Sequence, residues 1–147
     1  TAVGYRAAKA LVNGSDKNTA IGYIALTAAN NDTSHENTAV GYGAGDSITT
    51  GYSNTCLGST ANVSGGGAVN QIVIGQGATG VADNSVTLGN SSVTNNYLRE
   101  KIELKARNDQ PAILELQADN ADNNADHWQI ESSTDNFFRY KSSRRQI

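Results

Sequence analysis

The 147-residue sequence has no methionine, one proline (Pro111), one cysteine (Cys56), one tryptophan (Trp128) and two phenylalanines. A lone cysteine forms no intrachain disulfide and is too few for a cysteine metal cluster, so a disulfide-stapled or zinc-clamped module is excluded. Charge is also thin. Asp, Glu, Lys and Arg make up 17% of the chain, against roughly 25% in ordinary soluble domains. Disordered chains of low hydrophobicity normally carry a high net charge, whereas the net charge here is −3. Disorder is therefore a poor description. Residues 1–96 contain only three basic residues, Arg6, Lys9 and Lys17, so nucleic-acid binding has no electrostatic footprint. No apolar run approaches the roughly 18–20 residues of a membrane-crossing helix, and no signal peptide is recognised. Membrane insertion is not expected.

The sequence instead has 15 glycines and a visible excess of Asn, Thr and Ser. Internal periodicity is the first thing to seek in such a chain. An aliphatic residue followed by Gly recurs at Val3-Gly4, Ile21-Gly22, Val40-Gly41, Leu57-Gly58, Ile74-Gly75 and Leu88-Gly89. Three positions after each Gly stands Ala7, Ala25, Ala44, Ala61, Ala78 or Ser92. The unit reads Thr19-Ala20-Ile21-Gly22-Tyr23 and Thr38-Ala39-Val40-Gly41-Tyr42. The sequence opens inside one such unit, at Thr1-Ala2-Val3-Gly4-Tyr5, and so reads as an excerpt of a longer chain.

Residues two apart in a strand share a face. Each unit therefore offers a short strand with an aliphatic face and a small-residue face. Gly ends it where the chain turns or another backbone approaches closely. A second short strand is expected around the recurrent Ala. Segments such as Asn13-Gly14-Ser15-Asp16, Asn30-Asn31-Asp32 and Ser64-Gly65-Gly66-Gly67 carry turn chemistry and absorb the variable lengths. One unit cannot bury its aliphatic residue alone. Stacking aligns Val3, Ile21, Val40, Leu57, Ile74 and Leu88 in a ladder, beside Thr1, Thr19, Thr38 and Thr55. The expected fold is all-β: a parallel β-solenoid or β-roll of about six rungs over residues 1–96, roughly 29 Å long at the usual strand spacing. So slender a core favours self-association, with an intertwined parallel trimer as the expectation.

The stretch from Gln71-Ile72-Val73-Ile74-Gly75 to Ser85-Val86-Thr87-Leu88-Gly89 resembles the head repeat of trimeric autotransporter adhesins, a left-handed parallel β-roll. Its step from Gly75 to Gly89 is the length of that family's repeat, and the earlier steps are longer. The copies Asn18-Thr19-Ala20-Ile21-Gly22-Tyr23 and Asn37-Thr38-Ala39-Val40-Gly41-Tyr42 are more similar to bacteriophage tail-fibre or tail-spike repeats. The resemblance covers residues 1–95 and implies a virion structural protein, a homotrimer that contributes to host attachment. Its implied partners are other virion tail proteins and a cell-surface glycan or protein receptor. The alternative is the head of a trimeric adhesin on a bacterial surface. A third reading, a glycan-binding or glycan-degrading spike, predicts acids clustered along a groove, whereas Asp16, Asp32, Glu36, Asp46 and Asp83 are scattered among loops.

From Tyr97 the texture changes. Residues 101–106 alternate apolar and charged positions and read as a half-exposed strand, with residues 112–118 as its partner across a hairpin loop ending at Pro111. Residues 127–131 and 137–141 read as a second hairpin around residues 133–136. Leu114, Leu116, Trp128, Ile130, Phe138 and Tyr140 are expected to form its apolar core. Residues 97–147 are thus expected to be a small antiparallel module capping the solenoid, since an open end leaves strand edges unpaired. It is similar to the β-module that precedes the chaperone in many phage fibres. Ser142-Ser143-Arg144-Arg145 lacks the Ser/Lys context of an autocleaving chaperone.

Candidate chemistry is sparse. Cys56 occupies the slot of Ala20 and Ala39 and reads as a buried packing residue. His35 and His127 have no carboxylate at a recognisable spacing and read as surface residues. The acidic residues 119–126 offer the oxygens Ca²⁺ takes, but lack an EF-hand or nonapeptide pattern and read as a solvated turn. Tyr5, Tyr23 and Tyr42 are packing residues or a carbohydrate-binding stripe. The Thr ladder lacks the paired Thr of an ice-binding face. Asn13, Asn31, Asn62 and Asn90 fit the glycosylation sequon, which arises by chance in so Asn-rich a chain. No phosphate loop or metalloprotease or esterase motif is present. The expectation is a protein without enzymatic activity, cofactor or bound metal.

Overall fold

In the computed structural model the chain divides into two units, Thr1–Asn96 and Tyr97–Ile147. The structure describes residues 1–12, 15–30, 33–106, 111–117, 127–132 and 138–142, with side chains through Glu115.

The first unit is a parallel β-solenoid. Six short strands form one sheet in sequence order: β1 (Ala2–Val3), β2 (Thr19–Ile21), β3 (Thr38–Val40), β4 (Thr55–Leu57), β5 (Ile72–Ile74) and β6 (Val86–Leu88). Every pairing is parallel and equates repeat position with repeat position, for example Ala20 with Ala39 and Val40 with Leu57. Each return therefore climbs one strand. No helix occurs among the described residues.

Backbone hydrogen bonds explain the register. The N–H of Gly22 donates to Val3 O at 2.8 Å, that of Gly41 to Ile21 O at 2.8 Å and that of Gly58 to Val40 O at 2.9 Å. Gly75 and Gly89 repeat the bond to Leu57 and Ile74. Beyond the glycine the ladder continues: Leu26 N donates up to Ala44 O, Gly45 N to Ala61 O and Asn62 N to Ala78 O, each at 2.9 Å. Each rung is thus bonded to its neighbour on two sides.

The repeat glycine is required by geometry. Gly41 has φ of +138°, and a Cβ placed there would stand 2.5 Å from the carbonyl oxygen of Gly58. At Gly58 it would stand 2.7 Å from the carbonyl carbon of Gly75. Successive rungs touch through bare backbone at this column.

The second short strand expected around the recurrent Ala does not form. Two residues after the repeat Gly the backbone is left-handed, at Arg6, Ile24, Gly43, Thr60 and Gly77. An extended strand has negative φ throughout, so the chain turns there instead. Among the described residues, only the isolated bridges Asn62 with Thr79 and Tyr52 with Val69 lie outside the named strands.

The two faces of each strand are sorted by size. The inward column is the small one: Ala20, Ala39, Cys56 and Val73 are each 0% exposed. They pack with Ala25, Ala44, Ala61 and Ala78, and with Leu26, Ile48 and Val63 from the returns. The aliphatic ladder points the other way, with Val3 56%, Leu57 45% and Leu88 54% exposed. The stack therefore does not bury that ladder. A rung that closes within 14 to 19 residues is too narrow to hold two opposed walls of large side chains, so the alanine-sized column goes inside.

In the second unit, β7 (Ala112–Gln117), β8 (His127–Ser132) and β9 (Phe138–Ser142) pair antiparallel in that order. Their register opposes Leu114 with Ile130, Leu116 with Trp128, and Ile130 with Tyr140. Leu114 is 40% exposed; the side chains of Leu116, Trp128, Ile130, Phe138 and Tyr140 lie outside the described part. So do residues 119–126, 133–136 and 143–145. Residues 101–106, expected as a strand, form none. Their alternation lacks a partner strand, and Lys101 and Lys105 instead flank Glu103 at 2.8 and 2.9 Å.

Gly41→Ala adds a Cβ against Gly58 and strains a left-handed backbone, so a loss of about 3 kcal/mol or more is expected. Gly65→Ala, with nothing within 4 Å of its added Cβ, is expected to change stability by less than about 0.5 kcal/mol. Urea unfolding of the two variants beside the parent checks both.

Candidate functional site

The outward face of the solenoid is the feature with the clearest capacity to interact. It consists of three columns, read from the repeat glycine. Three residues before it stand Thr1, Thr19, Thr38, Thr55, Ile72 and Val86. One residue before it runs the aliphatic ladder from Val3 to Leu88. One residue after it stand Tyr5, Tyr23, Tyr42, Ser59, Gln76 and Asn90. No residue of the three columns is charged. Most are exposed, because their strands already spend the inward direction on the small column.

The tyrosines stack on one another. Tyr5 and Tyr23 rings lie 5.2 Å apart, and Tyr23 and Tyr42 rings lie 5.4 Å apart with 3° between planes. The Arg6 guanidinium carbon sits 5.3 Å from the Tyr5 ring centre, a cation–π contact. Between rungs each ring face is covered by its neighbour. Edges and hydroxyls remain for solvent, whereas a sugar ring stacks on an aromatic face.

Charge appears at the border of the face. Lys17 Nζ lies 3.0 Å from Glu36 Oε1, and the Ser53 hydroxyl donates to Glu36 Oε2 at 3.3 Å. Chiefly through its hydrogen bond with Lys17, the Glu36 carboxyl titrates below its ordinary range. Both partners of this ion pair are exposed, so its contribution to stability is small. His35 stacks on Tyr52 at 5.2 Å and places Nδ1 3.8 Å from Glu36. The side chain of His127 lies outside the described part.

Behind the sheet runs a second column that the repeat search did not single out. The fourth residue before the glycine is Asn18, Asn37, Asn54 and Gln71, all buried. Asn18 Oδ1 accepts from Asn37 N at 2.9 Å, Asn37 Oδ1 from Asn54 N at 3.0 Å, and Asn54 Oδ1 from Gln71 N at 2.9 Å. The amide groups point across the rung: Asn18 donates to Ser34 O at 2.8 Å, Asn37 to Gly51 O at 2.9 Å and Asn54 to Ala68 O at 2.7 Å. Each carboxamide thus ties a rung both to its neighbour and to its own return, as Asn and Gln ladders do in stacked sheets. Gln71 serves the shortest rung, donating to Ser64 Oγ at 2.7 Å.

Cys56 is fully buried, as its slot predicts. Burial pushes its thiol up to about 11, with the Asp46 carboxylate adding and a Gly45 hydrogen bond opposing. A thiol held neutral is a poor nucleophile. Among the sequon residues, Asn62 donates to Asp46 and Asn90 to Gln76 O at 2.6 Å; Asn13 and Asn31 lie outside the described residues. No group of three metal-ligating side chains occurs among the described residues.

Asn37→Ala orphans the buried Gly51 carbonyl and Asn54 N–H, at roughly 1–3 kcal/mol each. The expected loss is about 3 kcal/mol in urea unfolding, against less than about 0.5 kcal/mol for the exposed Ser91→Ala. Cys56 adds a pH dependence. Its thiol ionises near 9 when unfolded and near 11 when folded. Its contribution, about 2–3 kcal/mol, is fully present below pH 9 and is lost as pH rises from 9 to 11. Cys56→Ala removes that alkaline slope, which unfolding free energies between pH 8 and 11 measure. The chain matches no protein-family description, no curated protein and no solved structure.

Proposed function

We propose that residues 1–96 are a shaft segment of a fibrous surface appendage, a homotrimeric bacteriophage tail fibre or tail spike that contributes to host attachment. The observation that carries this reading is the uncharged, exposed face that runs the full height of a hydrogen-bonded rod. Within it the aliphatic ladder stays exposed, at 56% for Val3, 45% for Leu57 and 54% for Leu88, and clustered exposed apolar side chains mark interaction surfaces. A rod with such a face is suited to bundling with copies of itself. Its two-sided ladder of backbone bonds and its buried carboxamides favour stiffness over motion.

In this reading the chain works mechanically, without catalysis or cofactor, on a virion. Its partners are two further copies of itself, other tail proteins, and a glycan or protein receptor on the host surface. The head of a bacterial trimeric adhesin is the second reading, favoured by the 14-residue step between Gly75 and Gly89. A chaperone domain in the gene that encodes the chain supports the first reading, and a coiled-coil stalk with a membrane anchor supports the second.

Light scattering coupled to size exclusion is expected to give three times the 15.4 kDa chain mass. Ile74→Asp, which places a charge within the exposed ladder, is expected to shift that mass to one chain while circular dichroism stays β. A folded monomer for the parent chain at all concentrations contradicts the proposal.

A further inference from the structure

We infer that Asn90 and Val93 form a latch that ends the solenoid and closes its upper end against the addition of a further rung from a second copy. This closure belongs to the end of the rod and holds whether or not its faces associate.

Strand β6 pairs with β5 alone and is an edge of the sheet, and an unpaired edge is a template for another chain. What lies over this rung differs from what lies over the rungs below. A Cβ placed on Gly22 or Gly41 would meet the carbonyl of the next repeat glycine, and one placed on Gly75 would meet Gly89 Cα at 3.0 Å. A Cβ placed on Gly89 would meet Val93 instead. Its three nearest atoms there are Cγ2 at 2.7 Å, Cβ at 3.0 Å and Cγ1 at 3.4 Å. An isopropyl group thus occupies the space in which the backbone of a next rung would lie.

Asn90 brings Val93 there by ending the backbone ladder at its own column. In the lower rungs the second residue after the glycine is left-handed. Its N–H donates to the residue one before it in the rung below: Ile24 N to Tyr5 O, Gly43 N to Tyr23 O, Thr60 N to Tyr42 O and Gly77 N to Ser59 O. The equivalent Ser91 is not left-handed. Its place on Gln76 O is taken by the Asn90 carboxamide, which donates at 2.6 Å. Asn90 Oδ1 accepts from Ser92 N at 2.8 Å, the local turn that Asn favours. Asn90 O accepts from Val93 N at 3.0 Å, and that carbonyl is the one a next rung would use. The latch therefore takes up both contacts, carbonyl and glycine, on which the lower rungs seat their successors.

Three variants of the full chain test it. Val93→Gly uncovers Gly89. Asn90→Asp keeps an acceptor for Ser92 N but cannot donate to Gln76 O. Val81→Gly places a glycine at an exposed position elsewhere, since Val81 is 78% exposed. Circular dichroism establishes that each keeps the parent's β content, and Asn90→Asp carries the test where Val93→Gly does not. Small-angle X-ray scattering and light scattering then follow length and mass over a concentration series. Sideways association leaves the length unchanged, whereas each copy added end to end lengthens the rod by about 29 Å. The expected result is that Val93→Gly lengthens with concentration and at least doubles in mass, and that Asn90→Asp does so to a smaller degree. The parent and Val81→Gly are expected to keep one length. Equal lengthening of the parent or of Val81→Gly shows that Val93 is not what closes the end. Latch variants that keep the parent's length at every concentration show that something else closes it. Each of these results overturns the inference while leaving the proposed bundling intact.

Discussion

At the glycine column one backbone lies directly upon the next with no side chain between them, and the architecture of residues 1–96 follows from that contact. The left-handed φ of Gly41 and the closeness of Gly58 admit no Cβ, so neighbouring rungs lock at the same repeat position. Once glycine is set over glycine, the strand before it must pair Ala20 with Ala39 and Ile21 with Val40. Like residue then stands on like over much of the height: glycine on glycine throughout, alanine on alanine at Ala20 and Ala39, asparagine on asparagine at Asn18, Asn37 and Asn54, tyrosine on tyrosine at Tyr5, Tyr23 and Tyr42. Uniform columns are what allow a carboxamide to bond the rung above and a phenol ring to stack on its equivalent.

The same contact determines what is left outside. Backbones that approach so closely within rungs of 14 to 19 residues enclose little space, and alanine with a few larger residues from the returns fills it. Leu26 and Ile48 serve the wide lower rungs, while the narrow fifth rung manages with Val73, Ala78 and the carboxamide of Gln71. The aliphatic residues have no room inside and become a surface. The feature that makes the rod sticky is thus a consequence of the feature that makes it thin.

The period, the strand positions and their parallel order were legible in the sequence because they depend on glycine, whose requirement is steric and nearly free of exceptions. The burial of Cys56 was legible for the same reason, through its shared slot with Ala20 and Ala39. Alternation announced two faces but could not say which one was inside, since that depends on the width of the closed rung. The carboxamide column was hidden by abundance: Asn18, Asn37 and Asn54 stand among many asparagines that serve turns, and only their fixed offset from the glycine marks them. The missing second strand was hidden too, because left-handed backbone at Arg6, Ile24 and Thr60 is imposed by the return path rather than by those residues. Residues 101–106 carry a strand-like alternation, but pairing decides whether alternation becomes a strand.

The central claim is that small residues form the interior and the aliphatic ladder forms a surface that only association covers. Hydroxyl-radical footprinting across a dilution series tests it directly. The account predicts that Leu26, Ile48 and Val73 are protected at every concentration, whereas Ile21, Leu57 and Ile74 are oxidised in dilute protein and become protected as chains associate. Protection of Ile21, Leu57 and Ile74 in the dilute monomer, together with oxidation of Val73, would contradict it.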